Sequence, residues 1–186
     1  MNMQEIDFMS ILHKSTKRDY LSRVNDPVYP KSKAATLAKK FAFDYWDGDR
    51  RINYGGYSYL PGRWEKVAKE FLNHYDLPEN PKVLDVGCGK GFLLFDLLKI
   101  RPDTEIYGID ISEYAIANAK EEIKDRVQVG NATSLPWADD YFDLVVSINT
   151  FHNLHNYELA QALKEFERVG KRNKYICVES YRNEME

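Results

Sequence analysis

The sequence predicts an α/β fold: a parallel sheet with helices on both faces, preceded by a helical accessory segment. Three observations carry that expectation. From Lys82 onward, short apolar runs alternate with amphipathic ones. The apolar runs are nearly continuous, as in strands covered on both faces. A glycine-rich turn, in VLDVGCGKGF, joins the first apolar run to the first amphipathic one.

The elements follow in chain order. Ile6, Met9 and Leu12 sit at helical spacing. Ser32 is a candidate cap for a helix carrying Leu37, Ala38, Phe41 and Tyr45. Trp64, Val67, Ala68, Phe71, Leu72 and Tyr75 form an amphipathic stripe, with Pro61 where that helix would begin. Between these helices WDGDRRINYGGYSYLPGRW, rich in Gly, Tyr and Arg, reads as loop. Pro78 and Pro81 then stop the helix and bias their neighbours to extended geometry. That break divides an accessory segment, residues 1–78, from a sheet domain, residues 79–186. KVLDVG is a strand, and FLLFDLLKI is a helix closed by Pro102. EIYGID is a strand, and Ser112 caps a helix over EYAIANAKEEI. VQVGN is a strand, SLPWADD a loop and FDLVVSI a strand. YELAQALKEFERV is a helix with Gly170 at its C′ position, and KYICVES is the last strand.

Composition narrows the function. The chain has 186 residues, 44% apolar and 30% charged, which suits one soluble domain. No apolar run is long enough for a membrane helix, and MNMQEIDFMSILHKSTKRDY carries acids too early for a secretory signal. A net charge of −3 argues against a protein that depends on nucleic-acid phosphates. The two cysteines, Cys88 and Cys177, form no CxxC pair. A disulfide framework and a cysteine zinc site are therefore not expected, and a reducing, cytoplasmic setting is.

The densest signal for a binding site is the glycine turn. Gly87, Gly89 and Gly91 follow a strand and open a helix, where positive φ and unpaired N–H groups let a ligand approach the backbone. Asp110 ends the next strand, 19 residues beyond Gly91, where a carboxylate can accept two ribose hydroxyls. A dinucleotide fingerprint would read G-x-G-x-x-G. Here the spacing is G-x-G-x-G, with Asp85 two residues upstream. That carboxylate would repel a pyrophosphate and suits a ligand carrying a cation, which argues against a nicotinamide-dependent oxidoreductase.

Residues 82–180 resemble the class I S-adenosylmethionine (SAM) dependent methyltransferases. VLDVGCGKG is similar to the family's first motif and GIDIS to its second. GNATSLPWADDYFDLVVSINTFHNL is similar to the third and fourth, and EFERVGKRNKYICVE to the segment before strand five. The upstream half, with FDYWDGDRR, YGGYSY and GRW, resembles a bacterial subset associated with surface-polysaccharide gene neighbourhoods.

The resemblance implies a Rossmann-like core, and with the strand–helix alternation it leads us to expect strand order 3-2-1-4-5. It implies that Gly87, Cys88 and Gly89 line the methionine portion of SAM, with Gly91 also in the cofactor-binding turn and Asp85 near the ammonium. Asp110 would hold the ribose and Ile111 would lie against the adenine. Asn131 and Ala132 stand where the family has Asp-Ala, and the Asn131 oxygen could accept from the adenine amino group. Asn149 would lie under the methionine end. His152 is a candidate base or acceptor contact, against a structural or exposed histidine. A metal at His152 and His155 is not expected. Trp46, Tyr54, Tyr57, Tyr59 and Trp64 read either as a lid over the cofactor, with Arg63 pairing its carboxylate, or as a satellite apolar cluster.

The implied activity is methyl transfer from SAM to a small-molecule or saccharide-linked acceptor, leaving S-adenosylhomocysteine. The alternative is a SAM-binding module without catalysis. The sequence stops at ESYRNEME, just after strand five, whereas the family's sheets add an antiparallel hairpin there. The open edge is expected to be covered by the accessory helices lying across Ile176 and Val178, by residues beyond this chain, or by a second copy in a homodimer.

Overall fold

The computed structural model describes residues 6–13 and 24–178. The apolar runs form β1 (Lys82–Val86), β2 (Glu105–Asp110), β3 (Val127–Val129), β4 (Phe142–Ile148) and β5 (Gly170–Cys177). They make one sheet in the order β3-β2-β1-β4-β5, and every pairing is parallel. β1 is central, with Asp85 level with Gly108 on β2 and Val146 on β4. The strand order reverses at β1, so its C-terminal end opens between two diverging connections.

The helices are α1 (Ser10–His13), α2 (Lys31–Ala38), α3 (Phe43–Trp46), α4 (Glu65–His74), α5 (Phe92–Ile100), α6 (Glu113–Ala117) and α7 (Asn156–Val169). Two apolar layers sandwich the sheet. On one face Val83, Ile106, Leu144 and Val146 meet Val67, Ala68 and Phe71 of α4 and Leu93, Leu94 and Leu97 of α5. On the other, Leu84, Val86, Ile109 and Val145 meet Ala162, Phe166 and Val169 of α7. The amphipathic stripe read for α4 is thus part of the sheet's own core.

Several local expectations change. Ser32 is not a cap: α2 begins after Pro30, and the Ser32 carbonyl accepts from the Thr36 hydroxyl at 3.0 Å. The helix expected through Tyr45 breaks at Phe41, whose φ is 49°. Ser112 does cap α6, accepting from the Ala115 N–H at 3.0 Å. The expected helix over residues 113–123 stops at Ala117, and a 3-10 turn over Glu121–Arg126 follows. Gly170 is extended, with φ −96° and ψ 131°, and starts β5 rather than closing α7 with a left-handed turn. A Cβ there would stand 2.7 Å from Val145 Cγ2, so close strand packing is its reason.

Residues upstream of β1 cover one face of β5. Tyr175 is buried against Phe8 and Phe71, with ring centroids at 5.2 and 5.0 Å. Ile176 and Val178 point the other way and stay 40% and 49% exposed, so the helices do not cross them as expected. Glu179 and Ser180 of the expected strand lie outside the described residues. Among the described residues no helix is long and apolar enough to cross a membrane.

One arginine shapes the loop between β3 and β4. Arg168 donates to the carbonyls of Leu135 and Trp137 at 2.9 and 2.7 Å, and to Glu165 and Asp139. Arg168→Ala leaves those carbonyls without their donor. The expected loss is about 1–3 kcal/mol in a denaturant titration. An unchanged midpoint would mean the loop holds its own shape.

Candidate cofactor site

The site begins where β1 ends. The chain turns through Gly87 and Gly89 with φ of 84° and 55°. A Cβ on Gly87 would run into the Thr150 side chain, and one on Gly89 would stand 2.8 Å from the Trp46 ring. The Gly87 and Cys88 N–H groups donate to the Ile109 carbonyl at 2.7 and 3.2 Å, tying the turn to β2. Gly91 is the N-cap of α5, with φ 73°. Gly87→Ala combines left-handed strain of about 1–3 kcal/mol with the Thr150 collision. The melting midpoint should fall by about 2–4 °C for each kcal/mol lost; an unshifted midpoint would contradict this description of the turn.

Two carboxylates flank the turn in different surroundings. Asp110 is a clamp: Oδ2 accepts from the Gly89 N–H and Oδ1 from the Ser112 N–H, both at 2.8 Å. Burial raises its pKa above the ordinary value, and those two donors oppose the rise. Asp85 has no such support. It is 5% exposed, and its Oδ1 is buried without a hydrogen-bond partner. Burial first, and the Asp110 charge second, push it up to about 8. A buried carboxyl in this state gains most from a cationic or donor group brought into the site.

Asn149 joins the turn at the C-terminal ends of β1 and β4. Its φ is 54°, and its N–H donates to the Cys177 carbonyl at 2.8 Å. Ile111 is 55% exposed beside a groove of about 380 Å³ lined by Lys40, Phe41, Ala42, Glu113 and Tyr114. Asn131 follows β3, and its Oδ1 accepts from both the N–H and the hydroxyl of Thr133, each at 2.9 Å. That oxygen is committed to a turn. Ala132 packs on the α7-side layer.

Cys88 is buried at the level of Gly108, where a Cβ would meet its sulfur at 2.8 Å, so it acts as a small side chain that fits. His152 is exposed in a 3-10 turn over Phe151–Asn153. His155 starts α7, its N–H donating to Glu158 at 3.0 Å. Arg63 is exposed in the turn before α4. Among the described residues no group of three or more His, Cys, Asp or Glu could hold a metal ion.

The sequence reading missed a network that seats the aromatic segment on this turn. Lys90, between the second and third glycines, is buried. Its Nζ donates to Asp47 Oδ2 and Oδ1 at 2.7 and 2.9 Å and to the Tyr57 carbonyl at 2.8 Å. The Tyr114 hydroxyl donates to Asp47 at 2.7 Å, and the Tyr57 N–H does so at 2.9 Å. Burial alone would raise the Asp47 carboxyl; Lys90, Tyr114 and Tyr57 outweigh it and hold it below the ordinary value. The only sequence signals were a charged residue inside a glycine turn and an acid beside Trp46.

Residues 77–186 match the model of a family described as a methyltransferase domain. A demethylmenaquinone methyltransferase of Symbiobacterium thermophilum is 34% identical over 128 residues, covering 64% of this chain and 50% of that protein. A tRNA (carboxymethyluridine(34)-5-O)-methyltransferase of Arabidopsis thaliana is 30% identical over 125 residues, covering 67% of this chain and 29% of that one. The chain spans about half the length of the curated demethylmenaquinone methyltransferases it matches. Among solved structures, a SAM-dependent methyltransferase from Aquifex aeolicus aligns with a TM-score of 0.51 and 28% identity, covering 67% of this chain and 72% of that one. The PH0226 protein of Pyrococcus horikoshii OT3 aligns with a TM-score of 0.51 and 36% identity, covering 59% of this chain and 53% of that one.

Proposed function

From the premise that this chain belongs to the class I SAM-dependent methyltransferases, we propose that it binds SAM over the 87–91 turn and transfers its methyl group to a small-molecule or saccharide-linked acceptor. The observation that carries the cofactor site is the pair of buried carboxylates flanking the turn, one clamped by backbone amides and one with an orphaned oxygen. They fit a ligand that presents hydroxyls at one end and an ammonium at the other. When bound, SAM supplies a sulfonium methyl open to nucleophilic attack.

Asp85 would face the ammonium, and its orphaned Oδ1 is the acceptor. Asp110 would take the ribose hydroxyls on the lone pairs that Gly89 and Ser112 leave free. Ile111 offers the adenine an exposed apolar side chain. The Asn131 amide would meet the base through its N–H groups, since its oxygen is engaged by Thr133. Asn149 and the 87–89 turn would bound the methionine end. Alignment of acceptor and methyl is worth about 7–11 kcal/mol in reactions of this kind, so a base is needed only where the acceptor must lose a proton. His152, exposed just beyond β4, is the residue proposed for that role or for acceptor contact.

Transfer of label from methyl-labelled SAM to a panel of small phenols, amines and sugar derivatives tests the activity, with NAD binding as the control. Labelled product supports the enzyme. SAM binding with no labelled product across the panel supports the non-catalytic alternative. NAD binding without SAM binding would refute both.

A further inference from the structure

We propose that residues 41–59 form a gate seated on the cofactor turn, latched by Asp47 and Lys90, and that the adenosine end of the cofactor docks before the gate lifts. The methyltransferase function proposed above is its premise. Both carboxylates that the cofactor requires lie out of reach: Asp85 is 5% exposed and Asp110 8%. The Trp46 ring rests on Gly89. Its indole N–H donates to the Ser112 hydroxyl at 2.8 Å, and that hydroxyl in turn donates to the Phe41 carbonyl. The rings of Trp46, Tyr54 and Tyr57 pack on one another with centroids at 5.3, 5.2 and 4.6 Å. Tyr57 continues the stack onto Phe92 of α5 at 5.0 Å. Three aromatic rings therefore fill the space over the turn from Gly89 to Phe92.

The segment has the build of a moving part. Phe41 bounds it with a left-handed φ of 49°, and Gly55 and Gly56 give a second pivot at 67° and 106°. Its polar contacts with the sheet region include the Trp46–Ser112 bond, the Tyr59 hydroxyl donating to Asp96 at 2.6 Å, and one carboxylate that gathers two partners. Asp47 takes Lys90 from the turn and Tyr114 from α6. Beside Ile111 lies a groove of about 380 Å³, lined in part by Phe41 and Ala42 at the start of the gate. A nucleoside can settle there against Ile111 while the rings stay seated. The methionine end must pass to Asp85, and that requires the Trp46–Tyr57 stack to move off the turn.

The experiment compares association rates of S-adenosylhomocysteine and of methylthioadenosine, which lacks the amino-acid end, by stopped-flow fluorescence. Wild type, Asp47→Asn and Trp46→Phe are measured together. Asp47→Asn should speed S-adenosylhomocysteine association about tenfold, by weakening charge-assisted hydrogen bonds. Trp46→Phe, which loses the indole bonds to Ser112 and to the Phe41 carbonyl and part of the ring contact on Gly89, should speed it as well. Methylthioadenosine should associate within about twofold of wild type throughout, because its first docking against Ile111 does not wait for the gate. Hydrogen exchange should quicken over residues 41–59 and stay unchanged in β1, which shows that the variants are folded. Equal S-adenosylhomocysteine rates in all three proteins overturn the gate alone. Failure of every form, wild type included, to bind S-adenosylhomocysteine overturns the methyltransferase proposal and the gate with it.

Discussion

SAM binding at pH 7 is expected to release close to one proton. Asp85 is held near pKa 8 by burial and by the Asp110 charge, so it is mostly protonated at pH 7 before the ligand arrives. A cationic ammonium facing its orphaned oxygen favours the ionised form and drives the proton off. Calorimetry in buffers of different ionisation enthalpy reads that proton directly. Affinity should rise with pH between about 6 and 8, by up to tenfold per unit, and level off above. Asp85→Asn should abolish both the release and the pH dependence. Stability gives the opposite sign. The folded pKa lies above the unfolded one, so the folded protein carries an extra proton between about pH 4 and 8. Wild type should therefore lose stability relative to Asp85→Asn as pH rises through that window. A proton count near zero, with flat affinity from pH 6 to 8, would remove Asp85 from the ammonium site.

Asp110→Ala is expected to weaken SAM binding by about 1–3 kcal/mol, a loss of roughly fivefold to 150-fold, because charge-assisted hydrogen bonds to two hydroxyls disappear. The same change strips the Gly89 and Ser112 N–H groups of their acceptor. Asp110→Asn separates the effects: one oxygen still accepts, and the charge is gone. Both variants remove the like charge beside Asp85, so its pKa should fall from about 8 and the proton released on binding should shrink. Unchanged SAM affinity in Asp110→Ala would move the ribose elsewhere. Unchanged proton release would mean that burial alone sets Asp85.

The sheet was readable because each strand is an apolar run bounded by breakers, and burial on both faces leaves little room for another reading. β1, β2 and β4 match their expected runs, and the acids at the ends of β1 and β2 fell into place with them. The Ser112 cap was legible for a local reason, since its oxygen meets an N–H three residues on. Ser32 had the same local look, yet its helix begins earlier and its hydroxyl does not cap. Gly170 misled in the same way: glycine after a helix suggests a left-handed stop, but here tight packing on Val145 demands it. The latch was illegible because it joins Asp47, Lys90 and Tyr114 across long stretches of chain, and each alone resembles a solvated polar residue. The aromatic segment lay between: its composition marked it as built for something, while its seat on Gly89 is a tertiary fact.

A crystal structure with S-adenosylhomocysteine decides whether the cofactor binds over the 87–91 turn. The ribose hydroxyls should lie on Asp110, the ammonium within hydrogen-bonding distance of Asp85, and Trp46 lifted from Gly89. S-adenosylhomocysteine bound away from the 87–91 turn, or with its ribose on another group, would contradict that placement.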